Sequence, residues 1–567
     1  MGTNLLSFIK NRQKLGYLTK GILICVFLTF FILCPIFSVF SESLMSVDGS
    51  FTFSNYTNAF SNEETGKTIW NSILLGLSVT ALSTLIAVPE AYLLAKTRLR
   101  KLWWLDLVLM IPFMVPPYIN SMGWMLFMQR NGVLWRNLPS LKPLATSFYS
   151  FFGMVWIMSM HTSPFLMTML KNAFLSFPKS IDDASEVYVK SRFKKFFKVY
   201  APILLPNFAI GAFLVFVKAL SEYGTAATFG PQIGISTFTT MITDKMQIAP
   251  IDFGTAASLA SLLVFICMLL WALQMVITNK KAVSLKNEGE SHYSKSYTVA
   301  IIGSIFLLTI FFFSAFIPLF TIVISSFKKV LYKNLSDAGN FTLENYQIAF
   351  SDDSGFGTGF EAIGNSFFIG IISSLIVLLL GLCFAFYSYK NKKKFLGRGV
   401  EFIDMLPQMI PNIVTGIGMI MFFNAIYKLF PVYRTFWMLI IGYSVVFLPG
   451  MVSYIKNALI QMPNSLLEAG EVYSKNEFRI DLRILLPQAI KGAFYGFAMT
   501  LIVTLRELVT AKLLQPPAFY TISLFIDSQF EQGNQQAAMA LAVVSVAITL
   551  ALLLPLEYIS TKRKRKA

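Results

Sequence analysis

Residues 178–202 read PKSIDDASEVYVKSRFKKFFKVYAP, and residues 463–487 read PNSLLEAGEVYSKNEFRIDLRILLP. At an offset of 285 residues, nine positions of the two stretches are identical without a gap. Each copy lies between two long apolar runs, so a charged segment is presented at a membrane surface. The pair indicates that one structural plan occurs twice in this chain.

Each copy predicts a short helix. Ser180 and Ser465 stand three residues before an acid, Asp183 and Glu468 respectively, which is the capping-box pattern for a helix start. The next turn carries small residues in both copies: Ala184 and Ser185 in the first, Ala469 and Gly470 in the second. Small residues let another backbone approach closely. The alternative is an amphipathic loop helix lying on the bilayer, but two copies in register favour a docking segment.

These segments resemble the EAA loops of ATP-binding-cassette (ABC) importer permeases, whose pattern is E-A-A-x-x-x-G with an I-x-L-P ending. The matching positions are Asp183, Ala184, Ser185 and Pro202 in the first copy, and Glu468, Ala469, Gly470 and Pro487 in the second. Both copies depart from the pattern at its glycine, where Val189 and Ser474 stand. The resemblance implies that each helix is a coupling helix docked in a groove of an ATPase subunit.

Composition independently indicates an all-α polytopic membrane protein. The 567 residues are 55% hydrophobic and only 13% charged, with a mean hydropathy of +0.63. The net charge of +18 falls largely in alternate loops. This is the positive-inside pattern and gives no reason to expect nucleic acid as a partner. All four cysteines lie in apolar runs and predict neither a disulfide framework nor a metal site.

Twelve apolar runs predict twelve transmembrane helices, each about long enough for a ~30 Å hydrocarbon core. They lie near 21–41, 70–95, 103–128, 150–173, 203–221, 253–277, 297–326, 364–389, 400–427, 436–458, 488–506 and 535–557. The first run has no small-residue cleavage site, so we expect an anchor rather than a removed signal peptide.

The plan divides into two parallel six-helix repeats, 1–278 and 297–567, joined by a polar cytoplasmic linker at 279–296. Other repeated features support the division: 51–61 with 341–351, Asn71-Ser72 with Asn365-Ser366, and Pro112 and Pro116 with Pro407 and Pro411. Both halves start on the cytoplasmic side, so the axis that relates the two repeats runs along the membrane normal. Both termini are therefore predicted to be cytoplasmic. The basic tail, 562–566, is a stop-transfer anchor or a lipid-binding patch.

Ionisable residues within the spans mark a candidate translocation pathway. Glu222 and Glu507 occupy the same repeat position, and their basic neighbours are Lys218, Arg506 and Lys512. Such groups are costly at membrane depth and usually face a cavity or one another. The glutamates therefore line a pathway at the repeat interface, or they form Glu–Lys or Glu–Arg pairs that lock a span to a loop. His161 is a satisfied core histidine or a ligand.

The sequence carries no P-loop, zinc-protease motif or nucleophile elbow, so transport energy must come from a separate subunit or an ion gradient. The coupling segments favour an ABC permease, with no cofactor on this chain and ATP and Mg²⁺ on a partner. An ion-coupled secondary transporter is the alternative class.

The whole chain also resembles the fused twelve-span permeases of the ferric-iron importer group. Residues 220–225, 504–508, 516–517 and 536–538 carry the likeness. It implies the type I ABC importer permease fold in a bacterial inner (plasma) membrane, two copies of an ATPase subunit and an extracytoplasmic solute-binding protein. Ferric iron is the favoured cargo; phosphonate, thiamine, polyamine and sugar phosphate are alternatives. Metal ligands on this chain stay unassigned.

Overall fold

The computed structural model describes residues 17–46, 48–189, 191–281, 293–351, 357–473 and 477–564. Within these ranges the chain is helical and forms no β-sheet, only isolated bridges. Most of the predicted linker (282–292), Ser474 and the end of the basic tail (565–567) lie outside the described residues.

The helices follow the same order in the two halves of the chain. Those of the first half are α1 (Tyr17–Ser43), α2 (Ser54–Ser61), α3 (Glu63–Lys96), α4 (Trp103–Met114), α5 (Pro117–Met128), α6 (Val133–Asn137), α7 (Lys142–Phe148), α8 (Phe151–Leu175), α9 (Lys179–Tyr188), α10 (Phe193–Ser221), α11 (Gly224–Ile233), α12 (Phe238–Gln247) and α13 (Phe253–Lys281). Those of the second half are α14 (Tyr297–Phe327), α15 (Glu344–Ser351), α16 (Gly359–Lys390), α17 (Phe395–Met409), α18 (Asn412–Ala425), α19 (Phe436–Ile460), α20 (Asn464–Tyr473), α21 (Phe478–Arg506), α22 (Val509–Leu514), α23 (Ile522–Glu531) and α24 (Gln535–Lys564).

Nine helices in the described ranges are long and apolar enough to cross a membrane, or up to eleven if each of two bent pairs is one span. The nine are α1, α3, α10, α13, α14, α16, α19, α21 and α24. The remaining predicted span, 150–173, is α8, a helix of 25 residues. Its buried face includes Ser159, His161, Thr162 and Ser163, which makes it more polar than the nine.

The third predicted span of each repeat is not a straight helix. Helix α4 is bent by 86° from the helical stretch after it, and α17 by 108° from α18. The breaks fall at Pro116 and Pro411, each preceded by a residue with extended ψ, Val115 and Ile410. Proline lacks an N–H and disfavours the helical conformation in the residue before it. The prediction of continuous spans over 103–128 and 400–427 is therefore wrong.

In the part of the chain that the structure describes, four spans contain a π-helical turn, and a proline stands two residues after the end of each turn. The turns are Thr29–Leu33, Phe196–Tyr200, Phe312–Phe316 and Asp481–Leu485, and the prolines are Pro35, Pro202, Pro318 and Pro487. A proline nitrogen cannot donate to the carbonyl four residues earlier, and its ring clashes with that carbonyl. The wider turn accommodates this defect without ending the helix.

The helices form two compact units whose borders differ from those of the sequence repeats. Unit A holds the described parts of 1–52 and 355–524, and unit B those of 53–354 and 525–567. In unit A, α1 of the first repeat packs on α18 of the second; in unit B, α14 of the second packs on α5 of the first. Each repeat thus contributes its first span to a unit built mainly from the other.

Glycines set the packing of repeat-related helix pairs inside each unit. In unit B a Cβ on Gly211 of α10 would lie 2.6 Å from Leu166 Cδ1 of α8. In unit A a Cβ on Gly496 of α21 would lie 2.6 Å from Met451 Sδ of α19. Small residues allow helices to approach closely where lipid gives no hydrophobic drive for association.

Equivalent ion pairs join the bent elements to these bundles. Lys171 of α8 lies 2.5 Å from Asp106 of α4 in unit B. Lys456 of α19 pairs with Glu401 of α17 in unit A. Each pair attaches the first half of a broken span to the helix that carries the next coupling segment.

Candidate functional site

The first coupling helix, α9, begins at Lys179 with Pro178 as its N-cap and no side-chain cap hydrogen bond. The predicted start at Ser180 is therefore one residue too late. In the second copy α20 begins at Asn464, one residue before the predicted Ser465.

One face of each coupling helix is exposed. Asp183 and Ala184 are exposed, as are Glu468 and Ala469. Large apolar side chains lie beside them: Val187 is 77% exposed, Tyr188 86% and Val472 89%. Apolar groups grouped with charges on a surface helix outside the apolar spans are typical of a protein-docking surface.

The third residue of each EAA-like triplet lies on the buried side of its helix. Ser185 is buried and its hydroxyl donates to the Asp182 carbonyl at 2.6 Å. Gly470 is buried, and a Cβ there would collide with Ile484 at the base of α21. These small residues therefore serve the packing of each helix on its own unit, rather than the approach of another subunit. Val189 ends α9 in extended conformation, without the glycine of the family pattern.

A buried charge cluster holds α9 to the rest of unit B. The Asp182 side chain is 1% exposed and lies 2.7 Å from Lys96 Nζ, at the last residue of α3. Lys195 Nζ lies 2.9 Å from its other oxygen, and the Tyr200 hydroxyl donates to that same oxygen at 2.6 Å. Phe177 and Tyr200 place their rings 5.2 Å from the Lys96 ammonium.

The cluster keeps Asp182 ionised. Burial raises the pKa of this carboxyl, but hydrogen bonds from Lys96, Tyr200 and Lys195 outweigh burial and hold the pKa below its ordinary value. Charge-assisted bonds of this kind are short and strongly directional.

Sequence reasoning missed this cluster. Asp182 stands beside Asp183, and only Asp183 was assigned to the coupling segment. The available signal was the i, i+3 spacing of Asp182 and Ser185, which places them on one helical face. Neither Asp182 nor Lys96 was singled out in the sequence analysis.

The second copy has different partners. Position 467, equivalent to Asp182, is a half-buried leucine. Lys390, at the last residue of α16, pairs with Asp481 of α21 instead of with the coupling helix. The two predicted coupling segments are thus alike on their exposed faces and unlike on their inner faces.

Glu222 lies at a helix break and stabilises the helix that follows. Its backbone is extended between α10 and α11, and the Thr225 amide donates to both carboxylate oxygens, at 3.0 and 2.9 Å. The Glu222 carbonyl accepts from the Thr239 hydroxyl at 3.1 Å. A carboxylate placed at a helix N-terminus satisfies free amides and complements the helix dipole.

Glu507 occupies the same position in unit A. It is extended between α21 and α22 and accepts from the Thr510 amide at 3.3 Å, the Thr510 hydroxyl at 3.0 Å and Asn412 Nδ2 at 3.2 Å. Its carbonyl accepts from the Ser523 hydroxyl at 2.7 Å. Within the described residues its Oε2 has no hydrogen-bond partner. Both glutamates are therefore caps of broken helices, an arrangement that neither sequence alternative contained.

The serines of the repeated Asn-Ser dipeptides support the same loops. Ser72 of α3 accepts from the Phe238 amide at 2.8 Å, and Ser366 of α16 accepts from the Ile522 amide at 2.8 Å. Each serine holds the first residue of a helix that follows the break, Phe238 of α12 in unit B and Ile522 of α23 in unit A.

The basic neighbours lie near these breaks on their own units. Lys218 of α10 is exposed, and its ammonium lies 5.6 Å from the Phe113 ring centre and 5.3 Å from that of Phe165. Arg506 and Lys512 are half-buried in unit A. A pathway that brings both glutamates together stays a prediction.

His161 is a satisfied core histidine. It is 8% exposed, and its Nδ1 donates to the Pro112 carbonyl at 3.0 Å. In the described part of the chain, no group of three or more His, Cys, Asp or Glu side chains could hold a metal ion.

Two repeats of membrane-spanning helices, each with an exposed helix in the predicted coupling segment and a span broken at a proline, are typical of a transport permease. The family described as binding-protein-dependent transport system inner membrane component matches residues 80–281 and 377–565. The chain belongs to this family. The predicted all-α fold with two type I permease repeats, the ABC permease role and a multi-pass location in the inner membrane are confirmed.

Two ferric-transport relatives resemble the chain over most of its length, and a polyamine-transport relative resembles less than half of it. The Fe(3+)-transport system permease protein FbpB 2 of Haemophilus influenzae is 21% identical over 85% of this chain and 88% of its own. The ferric transport system permease protein FbpB of Actinobacillus pleuropneumoniae is 25% identical over 94% and 77%. The spermidine/putrescine transport system permease protein PotC of Haemophilus influenzae is 25% identical over 44% of this chain and 92% of its own.

Proposed function

We propose that this chain is the permease of an ABC importer for ferric iron. An extracytoplasmic binding protein delivers the cargo, and two copies of a separate ATPase subunit, with their ATP and Mg²⁺, drive its passage. The chain itself holds no cofactor and carries out no catalysis.

The ferric cargo is supported by the extent of the likeness. Both ferric permeases named above match the two halves of this chain together, whereas the polyamine permease matches 44% of it. This chain and the two proteins named for ferric transport thus resemble each other across both permease halves.

The ATPase partner is supported by the exposed faces of α9 and α20. Docking would cover Val187, Tyr188 and Val472, which are more than three-quarters exposed. Membership of a family named for binding-protein-dependent transport supports the external binding protein.

We also propose that the linker and both termini are cytoplasmic. The Ser294 amide, near the end of the linker, donates to the Lys96 carbonyl at 2.8 Å. Lys96 also binds Asp182 of α9. The end of the linker and the first coupling helix therefore lie at one end of α3, so an ATPase bound there would face the same compartment as the linker.

Uptake of ferric iron tests the proposal. A deletion strain should lose uptake of radiolabelled ferric iron at limiting concentration, and the intact gene should restore it. Excess unlabelled spermidine, 2-aminoethylphosphonate, thiamine or sugar phosphate should not compete. Unchanged iron uptake together with lost uptake of one competitor would assign the cargo to that class.

A polyamine cargo is the second candidate, favoured by the alignment with PotC. The same strain decides between them, because radiolabelled spermidine uptake would then fall while iron uptake persists. Depleting ATP while maintaining the ion gradient separates an ABC importer from a secondary transporter.

A further inference from the structure

The inner faces of the two coupling helices are built from opposite chemistry. In the first copy the cluster that holds α9 consists of Asp182, Lys195 and Tyr200 with Lys96 of α3. At the offset of 285, the second copy has Leu467, Ile480 and Leu485 in place of the first three. Ile480 is 5% exposed and Leu485 is fully buried.

The second copy also has a lysine at the end of the equivalent membrane helix, Lys390 of α16, but this lysine does not bind the coupling helix. Lys390 pairs with Asp481, which belongs to α21 and occupies the position of Phe196 in the first copy. Helix α9 is therefore joined to two membrane helices by bonds to one carboxylate. Among the side chains that the structure describes, α20 instead meets apolar residues of α21, with Gly470 against Ile480 and Ile484.

These two kinds of attachment respond differently to a force. Bonds to a buried carboxylate are directional, and breaking them leaves unpaired buried charge. Apolar contact is non-directional and tolerates a change of angle between the packed elements. A helix held by the first kind moves with its neighbours as one body, while one held by the second kind can tilt on them.

We propose that Asp182 is a positioning residue whose bonds make α9 move as one rigid body with α3 and α10. Helix α20, in contrast, can tilt against the helices on which it packs. Movement of the ATPase is then transmitted mainly through α9. This inference rests on the proposed docking of an ATPase to both helices.

Hydrogen–deuterium exchange on the full chain in lipid nanodiscs tests the rigidity without any ATPase. The amides of 183–188 should exchange at least about tenfold more slowly than those of 468–473. Asp182→Asn should remove this difference. Asp183→Asn, which changes the adjacent exposed acid, should leave it intact. Equal protection of the two helices in the unaltered protein would overturn the proposal.

Loss of fold is a separate explanation for Asp182→Asn, because Lys96 and Lys195 would be left unpaired. A graft of the second copy's set avoids this, since that set already supports a folded helix in the same chain. The graft combines Asp182→Leu, Lys195→Ile, Phe196→Asp and Tyr200→Leu. It should fold, and it should raise exchange at 183–188 to the level of 468–473.

The functional readout is the amount of cargo moved per ATP hydrolysed in the reconstituted complex. The graft should lower this ratio several-fold while the ATPase still binds and its basal hydrolysis is kept. The reciprocal graft in the second copy (Leu467→Asp, Ile480→Lys, Asp481→Phe and Leu485→Tyr) should not lower it. An unchanged ratio in the first graft would refute unequal transmission. Failure of any ATPase to bind the unaltered protein would instead refute the docking proposal and leave the exchange result standing.

Discussion

The carbonyl oxygen of Pro318 in α14 lies against Gly123 in α5, where a Cβ would be only 2.7 Å from it. The same relation joins Pro35 of α1 to Gly418 of α18. In both cases a span of one repeat meets a glycine of the other repeat inside one compact unit. The first span of each repeat can therefore pack in the unit of the other repeat because glycine lets the two backbones come into contact.

Replacing Gly123 with alanine should destabilise the protein. The new methyl would meet main-chain atoms of Pro318, which cannot rotate away as a side chain can, and overpacking of this kind costs about 1–3 kcal/mol. Thermal unfolding in detergent measures the effect. Gly450→Ala is the matched control, because no atom outside its own helix turn lies within 4 Å of the added methyl. Equal melting temperatures for the two variants would contradict the packing argument.

Ala469→Arg and Ala184→Arg should each prevent assembly with the ATPase. Both alanines lie on the exposed faces of the coupling helices, so a long charged side chain blocks close approach without entering the core. Co-purification of the ATPase checks this, with Asn58→Arg on exposed α2 as the control. A stable, active complex in the Ala469 variant would refute docking at this face.

The double variant Glu222→Gln with Glu507→Gln should assemble and hydrolyse ATP at near-normal basal rates but transport less. A glutamine keeps an acceptor oxygen for the Thr225 and Thr510 amides while removing the charge. The alanine pair removes the caps as well, and we expect it to lower stability by about 1–3 kcal/mol per site. Wild-type uptake by the glutamine pair would remove both glutamates from the mechanism.

Cysteines placed at Ser61 and Lys295 should be labelled from opposite sides of the membrane. Both positions are exposed: Ser61 lies two residues before α3, and Lys295 lies beside the end of α3. The 34 residues of α3 span about 50 Å. In a cysteine-free background, an impermeant maleimide should reach position 61 in intact cells and position 295 only after permeabilisation. Labelling of both in intact cells would contradict the proposed topology.

The Asp182 cluster should be insensitive to moderate acid. Since its pKa is held below the ordinary value of 3.8, the stability it contributes is present above that pH and is lost only as pH falls through the lower folded pKa. Protection of amides 183–188, corrected for intrinsic exchange, should therefore be the same at pH 8 and pH 5. A loss of protection near pH 6 would mean that the carboxylate is not held ionised.

Sequence alone determined the features that rest on periodicity and on duplication. Long apolar runs dictate helices across a bilayer because no other local structure satisfies the backbone there. The repeat at 178–202 and 463–487 located both surface helices, and prolines 116 and 411 were recognised as a repeated pair. Their consequence, a bend near 90°, was missed because proline permits a kink as well as a break.

Only the tertiary structure decided which partners the polar residues meet. Asp182 and Asp183 are adjacent and chemically identical, yet one is buried among two lysines and a tyrosine while the other is exposed. The exchange of α1 and α14 between repeats is likewise invisible in the sequence, since an apolar span is equally compatible with either bundle. Such choices depend on contacts between residues far apart in the chain, where shape and hydrogen-bond geometry, rather than local pattern, set the free energy.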